Sequence, residues 1–426
     1  MSASCDLAEA RRLDAADELA PLRERFVLDE RDVVYLAGNS LGRLPRAAVT
    51  ATERAVREGW GRRLIRGWNE GWIDAPRSLG AKIAGVVGAR ADEVLVAETT
   101  SIDLFKLAAA ALAARPGRRR IVTDALNFPS DLYVLQGLVR LLGDRHELVS
   151  VPSRDGVTIA EVDLAAAVDA TTALVVLSHV SFISAFLYDL ARVTELVHHC
   201  GALVLWDLSH SAGAVPVELE SSGADLAVGC TYKYLNGGPG APAFLYVRRD
   251  LQRELEQPLF GWLGHAEPFA FEAAYRPAPD LKRFCVSTPP VLSLLAMEPG
   301  VDLVLEAGVD RLRTKSVEQS ELLLTLADAW LAPVGVELAS PRDPEQRGSH
   351  VALRHPEAWR INRALLEPTP GAPTVIADFR APDAIRLGIA PLYTTFQEVW
   401  LAADRLRQVV ASREYERFSA ERPLVT

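Results

Sequence analysis

Short apolar segments alternate with longer segments of helical character through the middle of the chain. The apolar segments lie at residues 93–96, 173–177, 202–206 and 226–228. Their short length and their Val, Leu and Ala content are typical of strands buried on both faces of a sheet. The segments of helical length between them include residues 103–114, 130–142 and 190–200. This alternation predicts an α/β fold with a mainly parallel central sheet, whose ligands collect at the carboxyl ends of the strands.

The pattern changes near residue 295. Helical periodicity extends over residues 300–330, and a polar stretch containing Pro and Gly follows it. We therefore predict a large domain over residues 45–294 and a small C-terminal α+β domain over residues 295–426. Residues 1–44 are predicted to form an N-terminal arm that contributes to the small domain. The sequence leaves open whether this arm packs there or against a partner subunit.

Composition narrows the classes of partner. The 426 residues carry a formal net charge of −10, which argues against nucleic acid because its binding needs clustered cationic surface. The longest apolar run, residues 107–114, is far shorter than the roughly 18 residues of a membrane-spanning helix, so no membrane partner is predicted. The four cysteines are widely spaced and no leader peptide is recognisable, so we expect a soluble, cytoplasmic protein without disulfides. Adjacent side chains on a helix point apart, so the run His198-His199-Cys200 predicts no metal site.

An acidic residue stands at the carboxyl end of an otherwise apolar strand. Asp207 follows the apolar residues 203–206, and a buried carboxylate at that place needs a partner. The protonated pyridine nitrogen of pyridoxal 5′-phosphate (PLP) would be such a partner. Asp after a strand is also a common helix N-cap, so this residue alone leaves both interpretations open.

The next strand leads to a lysine in an unusual setting. Lys233 follows the apolar segment 224–230 and precedes a glycine-rich turn at residues 237–240. The chain has five lysines among 46 Lys and Arg residues, so arginine is its ordinary surface cation. A lysine retained here indicates the need for a nucleophilic amine, which arginine cannot supply. A lysine on a surface turn is the alternative.

A third segment fits a phosphate site. Residues 98–103 follow a predicted strand and lead into a helix predicted to open at Asp103, with hydroxyls at Thr100 and Ser101. The free backbone N–H groups and the dipole of a helix N-terminus favour an anion. Ordinary capping by Ser and Thr is the alternative.

Together these segments resemble the kynureninase family, whose members are class V, fold type I PLP-dependent enzymes. The resemblance extends over nearly the whole chain. The matching segments are LAGNSLG at 36–42, IRGWN at 65–69, FPSD at 128–131, WDLSHSAG at 206–213, GCTYKYLNGG at 229–238, GWLGH at 261–265 and DFRAPD at 378–383. As a set they are highly specific, although no single one would be.

The resemblance implies a role for each matched residue. Lys233 would hold PLP as a Schiff base and Asp207 would pair with its pyridine nitrogen, both acting in catalysis with Tyr232. The other cofactor-binding residues implied are Thr100, Ser101, Phe128, Asp131, Ser178, His210, Trp262 and Thr288. The substrate-binding residues implied are Asn39, Trp68, Ser287 and Arg386, the last of which would hold the substrate α-carboxylate.

The resemblance also implies an activity and an assembly. The activity is hydrolysis of the Cβ–Cγ bond of L-kynurenine to anthranilate and L-alanine, in the kynurenine pathway of tryptophan degradation and NAD biosynthesis. Trp68 matches the type of enzyme that prefers kynurenine over 3-hydroxykynurenine. Trp262 and Thr288 match positions that reach the cofactor of the neighbouring subunit, so a homodimer with shared active sites is expected.

One segment departs from the family pattern. Residues 181–186 read SFISAF where the family has an Asn-Tyr-Arg-Thr-Gly-like run, so a charged position is Ile183 and a glycine position is Ala185. The alternative function is therefore a kynureninase-like hydrolase of a modified kynurenine or another γ-keto α-amino acid in a biosynthetic pathway. A PLP-binding protein without catalysis, and a desulfurase or aminotransferase of the same fold, are further alternatives.

Overall fold

The computed structural model of the protein describes residues 6–29 and 32–421. Residues 1–5, 30–31 and 422–426 lie outside the described residues, and with them Cys5 and parts of the predicted arm and small domain. The strands are β1 (Val33–Tyr35), β2 (Val94–Ala97), β3 (Arg120–Asp124), β4 (Glu147–Val151), β5 (Thr172–Ser178), β6 (Leu203–Asp207), β7 (Leu226–Gly229), β8 (Ala243–Val247), β9 (Glu337–Leu338), β10 (His350–Arg354), β11 (Thr374–Ile376), β12 (Asp378–Arg380) and β13 (Ala384–Gly388).

Helices surround these strands. The α-helices are α1 (Leu7–Ala16), α2 (Ala20–Arg23), α3 (Arg46–Arg54), α4 (Ala75–Val87), α5 (Thr100–Ala113), α6 (Pro129–Leu141), α7 (Glu161–Ala167), α8 (Leu190–His199), α9 (Val291–Ala307), α10 (Val309–Leu326), α11 (Ala358–Leu366) and α12 (Phe396–Ala411). A π-helix, Ala55–Arg63, continues α3. The predicted helical stretch 300–330 proves to be parts of α9 and α10, which are separated at Gly308, where φ is +79°.

The central sheet has seven strands in the order β2-β8-β7-β6-β5-β3-β4. Strand β8 runs antiparallel to β2 and β7, and the remaining neighbours pair in parallel. Every residue of β2, β5, β6, β7 and β8 is buried, because helices cover both faces of the sheet. The predicted α/β fold with a mainly parallel central sheet is confirmed.

A second, antiparallel sheet has the order β12-β13-β10-β9 and packs with α11 and α12 around a hydrophobic core of its own. The described part of the N-terminal arm packs against this unit in the same chain. Asp14 accepts hydrogen bonds from the backbone N–H groups of Phe396 and Gln397 at 2.7 and 3.0 Å, and Arg23 pairs with Glu398 at 2.7 Å. Asp14 therefore caps the first two N–H groups of α12, in addition to the capping box that Thr395 and Glu398 form at the start of this helix.

Three further features of the described residues bear on the sequence predictions. Across residues 6–29 and 32–421, no helix is both long and apolar enough to cross a membrane. Cys200, Cys230 and Cys285 are free thiols. His198 bonds through Nε2 to Asp225 at 2.8 Å, and over the described ranges no group of three or more His, Cys, Asp and Glu side chains could hold a metal ion.

Candidate active site

A cavity of about 270 Å³ opens at the carboxyl ends of the central strands. Strands β5, β6 and β7 end there, as expected for a ligand site in a parallel sheet. The predicted residues that line the cavity are Thr100, Ser101, Phe128, Asp131, Ser178, Asp207, His210, Tyr232 and Lys233. The fold therefore collects side chains from positions 100 to 233 of the chain in one place.

Two buried carboxylates face each other in this cavity. Asp207 ends β6, and its Oδ1 accepts the Ser209 N–H at 2.8 Å; residues 209–214 form turns, so no helix begins there for Asp207 to cap. Burial, and then the negative charge of Asp207, raise the pKa of Asp131 well above its usual range. Asp131 Oδ2 is buried without a hydrogen-bond partner. The positive charge of Lys233 in the same cavity opposes this shift but is the weaker effect.

His210 closes the same side of the cavity. It is buried, and its Nδ1 has no hydrogen-bond partner. Burial, and then the positive charges of Lys233 and Arg386, hold its pKa well below the usual range, so the imidazole is neutral. Its ring lies 5.5 Å from that of His350, a second buried histidine whose pKa burial and Arg386 lower to about 3.

Lys233 projects into the cavity between two aromatic rings. Its Nζ lies 6.0 Å from the ring centroid of Phe128 and 5.8 Å from that of Tyr232. Gly42 contacts the backbone of this turn. Its N–H donates to the Tyr232 carbonyl at 2.8 Å, and a Cβ at Gly42 would collide with the carbonyl of Lys233. The nearby Cys230 and burial raise the pKa of Tyr232, so its hydroxyl keeps its proton at neutral pH.

The predicted phosphate end lies at the N-terminus of α5. The helix begins at Thr100, three residues before the predicted start at Asp103, because Thr99 Oγ1 accepts the Ile102 N–H and caps it at 3.4 Å. Thr100 and Ser101 are therefore in the first turn, where backbone N–H groups are free to bind an anion. Thr100 and Ser101 line the cavity, although the helix begins earlier than predicted.

Arg386 lies just beyond the cavity wall. It is almost fully buried, and its Nε and Nη2 atoms bond both carboxylate oxygens of Asp378, at 2.6 and 2.5 Å. Its Nη1 donates to the backbone carbonyl of Phe182, a residue that lines the cavity. Asn39 lies nearby against Gly388, where any Cβ would collide with its side chain, and both amide atoms of Asn39 are buried without partners.

Four predicted residues are not brought to the cavity within one chain. Trp68 packs edge-on against Trp72, with ring centroids 5.5 Å apart. Trp262, Ser287 and Thr288 are exposed, and 37% of Trp262 is accessible. The segments carrying these three residues lie together, because Gly261 and Gly264 pack on the carbonyls of Val286 and Cys285.

Several cavity residues were not predicted. They are Thr99, Ser130, Phe182, Ser209, Cys230, Gly240, Ala241 and Ala243. Most lie inside segments that contain predicted site residues. The sequence does not show which side chains of a turn face a ligand, because that depends on the backbone angles of the turn. Phe182 had a signal of its own, since it belongs to the segment that departs from the family pattern. Its ring packs edge-on against Phe128, with centroids 5.1 Å apart.

Comparison with known proteins gives the family. The family model for aminotransferase class-V matches residues 44–357, and that for the kynureninase C-terminal domain matches residues 312–406. A kynureninase from Pseudomonas fluorescens is 44% identical over 403 residues, which cover 93% of this chain and 94% of that protein. The chain belongs to the kynureninase family.

The fold of this kynureninase-family protein is shared more widely. A cysteine desulfurase from Thermococcus onnurineus NA1 matches with a TM-score of 0.76 at 18% identity, covering 92% of this chain and 98% of that one. A variant of the lyase C-DES with glycine covalently linked to its PLP cofactor matches with a TM-score of 0.75 at 18% identity, covering 90% and 98%. At this identity the likeness shows a common fold type I architecture.

PLP is the cofactor of this family, and the cavity fits it. A protonated ring nitrogen would supply positive charge beside the buried carboxylate pair, where the charge of Lys233 does not offset burial. The amine of Lys233 is available for covalent attachment, and the first turn of α5 offers free N–H groups and hydroxyls to a phosphate. The donor set therefore matches the three chemical parts of PLP.

Proposed function

We propose that this protein hydrolyses the Cβ–Cγ bond of L-kynurenine, with PLP as cofactor, to give anthranilate and L-alanine. The observation that carries the proposal is the single cavity in which Lys233, the Asp131–Asp207 pair and the N-terminus of α5 meet, in a chain 44% identical to a kynureninase over 93% of its length. The same full-length similarity disfavours the alternative of a modified γ-keto amino acid.

The residues divide the binding between them. Lys233 would attach the cofactor, Asp207 would keep its ring nitrogen protonated, and Thr100 and Ser101 would hold its phosphate. Phe128 lines the same cavity and would contact the ring. When bound, PLP supplies an electron sink for negative charge on the substrate carbon that carries the amine. Arg386 binds the α-carboxylate, and so fixes which substrate bonds face the cofactor.

The chain's own groups then move protons. As a free amine, Lys233 Nζ would take the proton from the substrate Cα, hold it as an ammonium group and donate it back later in the reaction. Tyr232 keeps its proton at neutral pH and so serves as a donor near Lys233. Water adds to the γ-carbonyl and the Cβ–Cγ bond then breaks, so that the water oxygen leaves in the anthranilate carboxylate and Cβ gains one proton to become the methyl group of alanine. His210 stays neutral and adds no competing charge.

Anthranilate fluorescence tests the proposal. PLP-loaded protein given L-kynurenine is expected to release anthranilate, and Lys233→Ala to reduce the rate at least ~100-fold, because it removes the group that moves the proton. Lys82→Ala is the matched control, since Lys82 pairs at the surface with Asp302 at 2.6 Å and Glu298 at 2.8 Å. No product from either kynurenine or 3-hydroxykynurenine would refute the function.

We also infer that the protein acts as a homodimer with shared active sites. Support comes from large apolar side chains exposed on a single chain, of which four lie in the segment around Trp262: Phe260, Trp262, Phe269 and Phe271. Exposed apolar surface of this kind marks an interaction site. A second copy of the chain would cover it and bring Trp262 and Thr288 to the partner's cofactor.

A further inference from the structure

The arginine expected to bind the substrate carboxylate is already occupied. Arg386 has five N–H donors. Three of them bond Asp378 and Ser40, and one on Nη1 bonds the carbonyl of Phe182. One N–H remains, so an incoming carboxylate could form a single hydrogen bond and not the paired bonds of a bidentate contact. A bidentate contact through Nε and Nη2, the two nitrogens that Asp378 holds, requires Asp378 to leave Arg386.

A second arginine stands next to the same carboxylate. Arg380 and Asp378 alternate along β12 and so share one face, and Asp378 pairs directly across from Arg386 on β13. Arg380 Nη2 lies 3.4 Å from Asp378 Oδ2 and 3.3 Å from Ser40 Oγ. Ser40 also donates to Asp378 and accepts from Arg386 at 2.9 Å. The hydroxyl therefore bridges both arginines and the carboxylate.

The charges of this cluster suit an anionic ligand. Burial raises the pKa of Asp378, but Arg386 outweighs burial and holds this pKa below its usual range. The carboxylate is therefore ionised, and the cluster of two arginines and one aspartate carries one net positive charge. His210 and His350 beside it are neutral. Without Arg380, the Asp378–Arg386 pair would have no net charge to attract a carboxylate. One third of the Arg380 side chain is accessible, against 1% for Arg386, so Arg380 has room to move.

We propose that Arg380 is a positioning residue for substrate binding: when the substrate α-carboxylate binds Arg386, Asp378 turns to Arg380, which keeps the displaced carboxylate paired. The inference rests on the proposed function, which supplies the amino-acid substrate. It explains why two arginines share one aspartate. Removing a partner from a buried charge pair costs far more than exchanging one partner for another, so the exchange keeps substrate binding favourable.

Calorimetric binding to the PLP-loaded protein tests this without turnover. The probes are 4-(2-aminophenyl)-4-oxobutanoic acid, which lacks the α-amine and so cannot react with the cofactor, and its primary amide. We expect Arg380→Gln to weaken binding of the acid about tenfold, as for the loss of a partly buried ion pair, and to leave the amide unchanged. Arg380→Lys should restore part of the affinity for the acid.

Two controls separate positioning from structure. Arg354→Gln removes another arginine of the same sheet, which lies 3.8 Å from Asp383, and should leave both affinities unchanged. In an Asp378→Asn background, Arg380→Gln should have less than about twofold effect, because there is no displaced charge to receive. Equal binding of the acid to the Arg380→Gln variant and the unaltered protein would overturn the proposal, as would an undiminished effect in the Asp378→Asn background. If neither probe binds while the unaltered protein still releases anthranilate from L-kynurenine, this proposal alone is overturned, whereas the absence of anthranilate means that the proposed function itself has failed.

Discussion

At the scale of single residues, Asp124 is a buried carboxylate that lies outside the cavity but positions a turn that leads to it. It ends β3, where its Oδ1 accepts the Leu126 N–H at 2.6 Å and its Oδ2 accepts the Tyr188 hydroxyl at 2.9 Å. These bonds fix the turn that leads to Phe128 at the cavity. Burial nevertheless dominates and raises the pKa of Asp124 to about 6.

This raised pKa has a stability consequence with a definite sign. The unfolded chain releases the Asp124 proton near pH 4, whereas the folded chain holds it to about pH 6. Stability from this group is therefore lost as pH rises through that window. Between pH 4 and pH 7 we expect the free energy of unfolding of the unaltered protein to fall by on the order of 3 kcal/mol relative to that of Asp124→Asn. Urea denaturation at each pH measures this difference. A pH-independent difference would contradict the burial of this carboxylate.

A carboxylate with the opposite shift gives the matched control. Although burial opposes it, hydrogen bonds from Thr158 and Val157 lower the pKa of Asp155 to about 2. Stability from Asp155 is therefore present above pH 4 and is lost as pH falls towards 2. The stability difference between Asp155→Asn and the unaltered protein should accordingly not change between pH 4 and pH 7. A change there would mean that the pH dependence seen with Asp124→Asn does not come from Asp124.

At the scale of elements, the segment 181–187 joins the two sheets. It follows β5 of the central sheet, and its Ala185 carbonyl accepts the Gly348 N–H at 2.7 Å just before β10. The Phe182 ring contacts Phe128 in the cavity, while its carbonyl accepts from Arg386. The segment that departs from the family pattern therefore links the cofactor side to the carboxylate side.

Ala185 is the strained point of this segment. Its φ is +64°, a left-handed value that costs a non-glycine residue roughly 1–2 kcal/mol, and its methyl group is buried against Val180 and Val215. We expect Ala185→Val to destabilise the protein by roughly 3 kcal/mol, because a β-branched side chain adds strain and overpacking. Urea denaturation measures this, and a raised KM should accompany it because the contact between Phe182 and Arg386 shifts.

The opposite change at this position should be nearly silent. Ala185→Gly relieves the left-handed strain but loses a buried methyl group, and these terms roughly cancel, so stability should stay within about 1 kcal/mol. A large loss for glycine, or none for valine, would mean that φ at this position is not left-handed in solution.

The same elements show what the sequence could predict and what it could not. The strands that lead to Asp207 and to Lys233 were predictable, because a polar residue after an apolar run is a local pattern. The sequence showed that Ala185 stands where the family has glycine, but the left-handed angle of this residue is seen only in the structure. The pairing of Arg386 with Asp378 was not predicted, because it depends on the register between β12 and β13, and so on contacts absent from any single segment.

At the scale of the whole molecule, the residues that the family resemblance implies for the site lie on surfaces that one chain does not bring together. The cavity holds Lys233 and Asp207, whereas Trp262 and Thr288 lie exposed outside it. A C2 dimer brings the same patch of each chain to the other, so in the proposed homodimer one symmetry operation would complete both sites at once. Shared sites would also make an isolated chain inactive and so tie activity to assembly.

Subunit exchange tests this arrangement directly. Lys233→Ala and the double variant Trp262→Ala/Thr288→Ala should each be nearly inactive alone, because every site lacks a needed group. After the two are unfolded, mixed and refolded together, about half of the dimers should be mixed, and each would hold one intact site, restoring about a quarter of the full activity. Lys233→Ala mixed with Asp207→Asn is the control, since both residues line the cavity of one chain and no mixed dimer regains an intact site. Recovery in neither mixture would place every needed group within a single chain and rule out shared sites.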